Sequence, residues 1–168
     1  MQEQIMLHEL KSTDSVDVYK MLQKIDIQEY SFRNEVNGMT YDEYKTWLKL
    51  QEDWARGESL PNGFVRQWTF WLYVDNNPVG YGKLREKLTE KSKIHGGNIG
   101  YAISKDERGK GYGTKLFKLL LAKAKELGIE TILSTVDKSN PVSRAVQLKC
   151  GGKLISENDC CWYYSFDE

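Results

Sequence analysis

Apolar positions recur along this chain at two periods, and the changes from one to the other mark out its elements. Residues 67–74 alternate, with Trp68, Phe70, Leu72 and Val74 on one side and Trp71 and Tyr73 on the other. A period of two with apolar residues on both sides reads as a strand covered on both faces. Asp75-Asn76-Asn77-Pro78 makes a turn, and residues 79–85 return as the partner strand of a hairpin. Further strands are expected at 5–10, 98–104, 129–136, 153–156 and 160–166. Helical spacing appears in Val18, Leu22 and Ile25, behind a cap at Ser12, Thr13 or Asp14. It returns in Tyr44, Trp47, Leu48, Gln51 and Trp54, behind Thr40 with Glu43 at the capping-box position and ahead of Gly57. Leu116, Phe117, Leu120, Ala124 and Leu127 form a third apolar stripe, stopped by Gly128. A fourth helix starts at Ser139 or Asn140 with Pro141 in its first turn, and Gly151-Gly152 ends it. Residues 28–37 read as loop and partial helix, and 86–93 as a charged, exposed segment. The mixed order predicts one α+β domain over residues 1–168, a sheet with helices on both faces, without repeats or a dividing linker.

One stretch carries chemistry as well as packing. Ile99, Tyr101 and Ile103 alternate as a strand, the chain turns at Lys105-Asp106-Glu107, and Arg108-Gly109-Lys110-Gly111-Tyr112-Gly113 leads into a helix. Glycines let the backbone approach a ligand closely. The unpaired amides of a first helical turn, with the helix dipole behind them, favour an anion. Residues 105–126 hold seven basic and three acidic side chains, a local excess in a chain whose net charge is zero. A glycine-rich connection from strand to helix needs no ligand; the flanking cations are what favour phosphate here. The stretch is no P-loop, because no Gly-Lys-Ser or Gly-Lys-Thr opens the helix. It is a poor dinucleotide fingerprint too, with Gly-x-Gly-x-Gly spacing and Glu130 placed before its strand.

Arg108-x-x-Gly111-x-Gly113 resembles the acyl-CoA pyrophosphate loop of the GCN5-related N-acetyltransferases, and Asn140-Pro-Val-Ser143-Arg-Ala-Val-Gln147-Leu-Lys-Cys-Gly151 resembles that family's later helix. The likeness runs in register from about Val74 to the C-terminus and more loosely before it. It implies a central, mostly antiparallel twisted sheet of about seven strands, splayed at the central strand, with acetyl-CoA in the gap. It also implies acetyl transfer to a primary amine of a small molecule or peptide. Carried over residue by residue, it places Tyr101, Ala102 and Ile103 along the pantetheine arm. Arg108, Gly109, Lys110, Gly111, Tyr112, Gly113 and Thr114 fall on the pyrophosphate, and Asn140, Ser143 and Arg144 near the cofactor. Many members carry a tyrosine seven residues after the asparagine as the acid for the leaving thiolate. Gln147 stands there and has no proton to give; Tyr101, Tyr163 and Tyr164 are the replacements to consider. Gly152 stands where an aromatic residue often follows the glycine, which resembles a subgroup of acetyltransferases with poorly defined acceptors. A non-enzymatic acyl-CoA-binding module on the same fold is the competing reading.

His95, at the start of the central strand, and Asp137, at the C-terminal end of the next, are the candidate proton acceptors. Each also has a plain structural role open to it, in a turn or holding one. Glu35 and Glu43 are candidate linings of an acceptor pocket. Eight acidic against four basic side chains between Asp26 and Glu58 suit a cationic amine, or simply a solvated surface. Zero net charge argues against a general nucleic-acid binder. No apolar run approaches a membrane span and no secretory signal is visible, so a cytoplasmic protein, monomer or homodimer, is expected. Cys150, Cys160 and Cys161 form neither a disulfide framework nor a spaced metal site.

Overall fold

In the computed structural model, which describes residues 2–166, the chain opens with strand β1 (Ile5–Glu9), helix α1 (Val16–Leu22) and a small hairpin of β2 (Gln28–Glu29) and β3 (Phe32–Arg33). Helix α2 (Tyr41–Ala55) leads to β4 (Gln67–Val74) and β5 (Asn77–Arg85), then to α3 (Glu90–Ile94), β6 (Ile99–Ile103) and α4 (Tyr112–Glu126). Strand β7 (Leu133–Asp137), helix α5 (Pro141–Lys149) and strands β8 (Lys153–Glu157) and β9 (Cys161–Ser165) follow. Two antiparallel sheets result, ordered β1-β4-β5-β6 and β7-β9-β8. Among the described residues no helix is long and apolar enough to cross a membrane.

The alternation in β4 sorts the core as its pattern predicts. Trp68, Phe70, Leu72 and Val74 pack with Leu116, Phe117 and Leu120 of α4. Trp71 joins Tyr81 of β5, Val18 and Leu22 of α1, and Tyr44, Trp47 and Leu48 of α2 on the opposite face. Close approach of α4 to β5 requires glycine at Gly82, where a Cβ would lie 2.8 Å from Leu120 Cδ1. Leu116 is fully buried in this layer, so Leu116→Ala would cost about 2–5 kcal/mol. The β4–β5 turn runs left-handed through Asp75 and Asn76, at φ 48° and 67°, a conformation these side chains tolerate. The Thr40–Glu43 capping box forms in full, and Asn140 caps α5 ahead of Pro141.

Five features differ from the sequence expectation. Residues 28–37 contain the β2–β3 hairpin and no partial helix, because Asn34 is buried and its amide donates to the Leu22 and Ile25 carbonyls, both at 2.8 Å. The same bonds take over the end of α1, which stops at Leu22. Its cap is Ser15, since Asp14 turns inward to accept from Trp71 Nε1 at 2.7 Å. The charged segment 86–93 holds the short helix α3, capped by Thr89 with Ser92. Strand β7 begins at Leu133, where its ladder with Ser165 of β9 starts, and not at Ile129.

The two sheets are joined by hydrogen bonds at the start of β6, where Gly96 N donates to Thr135 Oγ1 at 2.6 Å. Asn98, 3% exposed, donates its backbone N–H to Leu133 O at 2.8 Å, and its Oδ1 accepts from Leu133 N at 2.9 Å. Gly97 makes the contact possible: it sits at φ +62°, and a Cβ there would lie 2.1 Å from Leu133 O. Beyond this junction no ladder joins β6 to β7 among the described residues.

Candidate functional site

A cavity of about 940 Å³ occupies the gap. Its walls include Gly100 and Tyr101 of β6, residues 134–137 of β7, and Asn140, Ser143 and Gln147 of α5. The far end is lined by the β2–β3 hairpin, by His95, and by Lys83 and Arg85 of β5.

The glycine loop lies beside the cavity and not in its lining. Gly109 and Gly111 adopt φ +78° and +84°, and a Cβ on either would meet nothing within 4 Å. Gly111 is the N-cap of α4, no side chain caps that end, and no acidic residue stands in the first turn. The amides of Tyr112, Gly113 and Thr114 therefore have no acceptor within the helix. Gly113 ties the loop to the cavity wall, its Cβ position 3.3 Å from the Tyr101 ring. The loop's cations are less free than their count suggests. Arg108 donates to Ile103 O at 3.0 Å and to Glu29 at 2.7 Å, and Lys110 pairs with Glu107. The Tyr112 side chain turns away and donates to Glu3 at 2.6 Å, so only its backbone serves the loop. Ala102 and Ile103 bury their side chains and likewise offer backbone.

At the other wall, Asn140 Oδ1 accepts from Ser143 N at 3.2 Å, and Tyr101 Oη shares a 3.1 Å hydrogen bond with Ser143 Oγ. Burial pushes the Tyr101 phenol up to about 12. Gln147 is 1% exposed and lines the cavity, and its Oε1 has no partner. An orphan acceptor, an open glycine cradle and uncapped amides are what a pantetheine arm ending in a diphosphate would complement.

The remaining candidates separate. Asp137 lines the cavity, but its Oδ1 accepts from both the amide and the hydroxyl of Ser139, which hold its carboxyl below the usual range. His95 is exposed, lines the cavity, and lies near enough for its charge to act on Asp137. Glu35 lines the cavity, whereas Glu43 stays in the α2 capping box. Arg144 donates to Tyr164 Oη at 3.1 Å and lies 4.3 Å over Trp162, held against β9. That bond and burial take Tyr164 out of the gap, and Tyr163 donates to Ile94 O. Of the three tyrosines only Tyr101 reaches the cavity.

Lys83 is the residue that sequence reasoning missed. Its side chain is 5% exposed, its ammonium donates to Arg33 O at 2.5 Å, and Glu35 stands 3.8 Å away. Phe32 and Tyr81 flank it at 4.7 and 5.1 Å. Burial lowers it from 10.5 to about 8, against the pull of Glu35. The available signal was a lysine two residues after Tyr81, on the strand face that Tyr81 buries.

A family model described as an acetyltransferase (GNAT) domain matches residues 4–153. Solved structures share the fold over nearly their full length. RimL, a ribosomal L7/L12 alpha-N-protein acetyltransferase in complex with coenzyme A, is 12% identical, with 97% of this chain and 93% of that chain covered and a TM-score of 0.71. A ribosomal-protein-S5-alanine acetyltransferase from Vibrio fischeri is 14% identical, with 99% and 94% covered and a TM-score of 0.73. The N-acetyltransferase PseH from Campylobacter jejuni is 15% identical, with 98% of both chains covered and a TM-score of 0.63. At these identities the likeness is one of fold. Among curated proteins none matches the chain.

Proposed function

Because the chain belongs to the acetyltransferase (GNAT) family, we propose that it is an acetyl-CoA-dependent N-acetyltransferase acting on a primary amine of a small molecule or peptide. The observation that carries this reading is the pair of left-handed glycines, Gly109 and Gly111, ahead of an uncapped helix end beside the gap between β6 and β7. The amides of Tyr112, Gly113 and Thr114 hold the diphosphate, with Arg108 and Lys110 supplying field. The free edge of β6 from Tyr101 to Ile103 carries the pantetheine arm, opposite Asn140 and Ser143 of α5. Arg144, engaged with Tyr164 and Trp162, supports β9 and serves the cofactor only through the helix it stands on.

The bound thioester supplies an activated acetyl group; the chain supplies position and proton handling. Holding the two reactants in line removes much of the barrier. The acceptor must reach the thioester as a neutral amine. His95, which lines the cavity, takes its proton. Asp137 itself is a weak base, because Ser139 already satisfies it. Tyr101 is a positioning residue. A phenol near 12 is too weak an acid to protonate a thiolate whose own acid titrates near ~8.5. Gln147 has no proton to give, so the thiolate leaves without a side-chain acid.

An amine panel assayed for acetyl-CoA-dependent thiol release tests this. Turnover of at least one amine, with His95→Gln lowering kcat about 100-fold or more, is the expected outcome. Coenzyme A binding without thiol release for any amine would make the protein a binding module.

A further inference from the structure

Lys83 and Arg85 lie on one face of β5, two residues apart, and both line the far end of the cavity. Gly80 and Gly82 face α4 on the other side of the strand. A lysine ammonium has three hydrogens to place. Lys83 places one, on Arg33 O. Glu35, at 3.8 Å, is close enough to attract the ammonium and too far to accept from it. Thr69 stands directly across from Lys83 in the β4–β5 ladder, yet its Oγ1 is buried without a partner. Tyr81 Oη, two residues before Lys83 on the same strand, is also buried and unpartnered. The interior therefore gives this cation no second acceptor.

The charges around it add to the deficit. From the β3 side come Glu35 and Arg33, from β5 itself Arg85 and Tyr81, from β4 the uncharged Thr69, and from β6 Gly100 in register. Arg85 and Arg33 both repel Lys83, and Glu35 alone attracts it. Arg85 lines the cavity and donates one hydrogen bond, from Nη1 to Gly97 O at 3.0 Å. The other lining carboxylates have partners of their own: Glu29 in Arg108, Glu90 in Lys93, Asp137 in Ser139. Two interior cations with open donors, facing a cavity, complement an anion that brings its own acceptors.

We propose that Lys83 and Arg85 form an anion subsite at the acceptor end of the cavity, and that the acceptor is an amine which also carries a carboxylate or a phosphate group. The assignment of that molecule as an acceptor rests on the acetyltransferase reading; the anion site does not. When the anion arrives it restores the full charge of Lys83, so binding above about pH 8 takes up a proton.

The test uses matched pairs with the coenzyme A-loaded protein: amino acids against their methyl esters, and aminoalkyl phosphates against the corresponding amino alcohols. The anionic member of at least one pair binds about 10- to 100-fold more tightly by calorimetry, the scale of a charge-assisted hydrogen bond. Its binding at pH 8.5 consumes a proton, read from buffers of different ionisation enthalpy. Which pair responds tells carboxylate from phosphate. Lys83→Met abolishes both the preference and the proton uptake, and Lys83→Arg keeps the preference. A melting temperature for Lys83→Met at or above wild type separates this loss from misfolding. Equal binding within every pair, no binding of any member, or a preference that survives Lys83→Met overturns the proposal. Binding is read without turnover, so an inert enzyme that still prefers the anion refutes the acetyltransferase reading and leaves the subsite standing.

Discussion

The glycine loop beside the cavity and the end of the cavity remote from it are built from different material. The glycine loop and its surroundings present backbone: left-handed Gly109 and Gly111, the first amides of α4, and the free edge of β6. The proposed acceptor end presents side chains drawn from separate elements, among them Lys83 and Arg85 of β5, Glu35 after the hairpin, and His95 after α3. Backbone recognition of a diphosphate needs one contiguous stretch with one geometry, and tolerates change in most exposed side chains. Side-chain recognition needs the whole fold to gather its parts, and any one of them can change the ligand.

That contrast can be broken first at the junction both ends share. Gly97→Ala puts a methyl 2.1 Å from the backbone carbonyl oxygen of Leu133, at φ +62°. A loss of about 3 kcal/mol or more is expected in chemical denaturation, with both binding functions impaired together. The next effect is confined to the glycine-loop end. Gly111→Val forces a β-branched residue to φ +84° in open space, so it costs stability only through backbone strain. It should weaken coenzyme A by about 100-fold or more in calorimetry, because the first-turn amides lose their aim. Unchanged coenzyme A affinity would sink the glycine-loop assignment.

At the acceptor end, pH is the sharper probe. The folded protein holds the Lys83 proton less tightly than the unfolded chain, with values of about 8 against 10.5. Unfolding therefore takes up a proton in that window, and wild-type stability rises with pH across it. Lys83→Met removes the dependence, so the variant's advantage in unfolding free energy is largest at pH 7, about 3 kcal/mol, and closes toward pH 10. A constant difference would mean that Lys83 is not held as a buried cation.

Smaller effects sharpen the contrast further. Tyr101→Phe removes the hydrogen bond to Ser143 Oγ, and about 1 kcal/mol of stability goes with it. Its kcat should fall less than about 10-fold, since a positioning phenol is lost and not an acid; a loss of about 100-fold or more would return Tyr101 to proton transfer. Lys110→Ala, at an exposed residue paired with Glu107, should change stability by less than about 0.5 kcal/mol in the same denaturation experiment.

What the sequence by itself determined follows from local rules. The two-faced alternation of β4, the Asp75–Asn76 turn, the Thr40–Glu43 box, the Asn140–Pro141 start and the glycine loop each depend on residues a few positions apart. Periodicity and capping read such neighbours directly. The tertiary structure alone decided the rest. It ended α1 through Asn34, pinned β6 to β7 through Asn98, and drew Arg108 onto Glu29. It also turned Lys83, an ordinary strand lysine in one dimension, into a desolvated cation at a cavity wall. Burial and charge pairing are set by residues tens of positions apart, and no local pattern carries that information before the sheet brings them together.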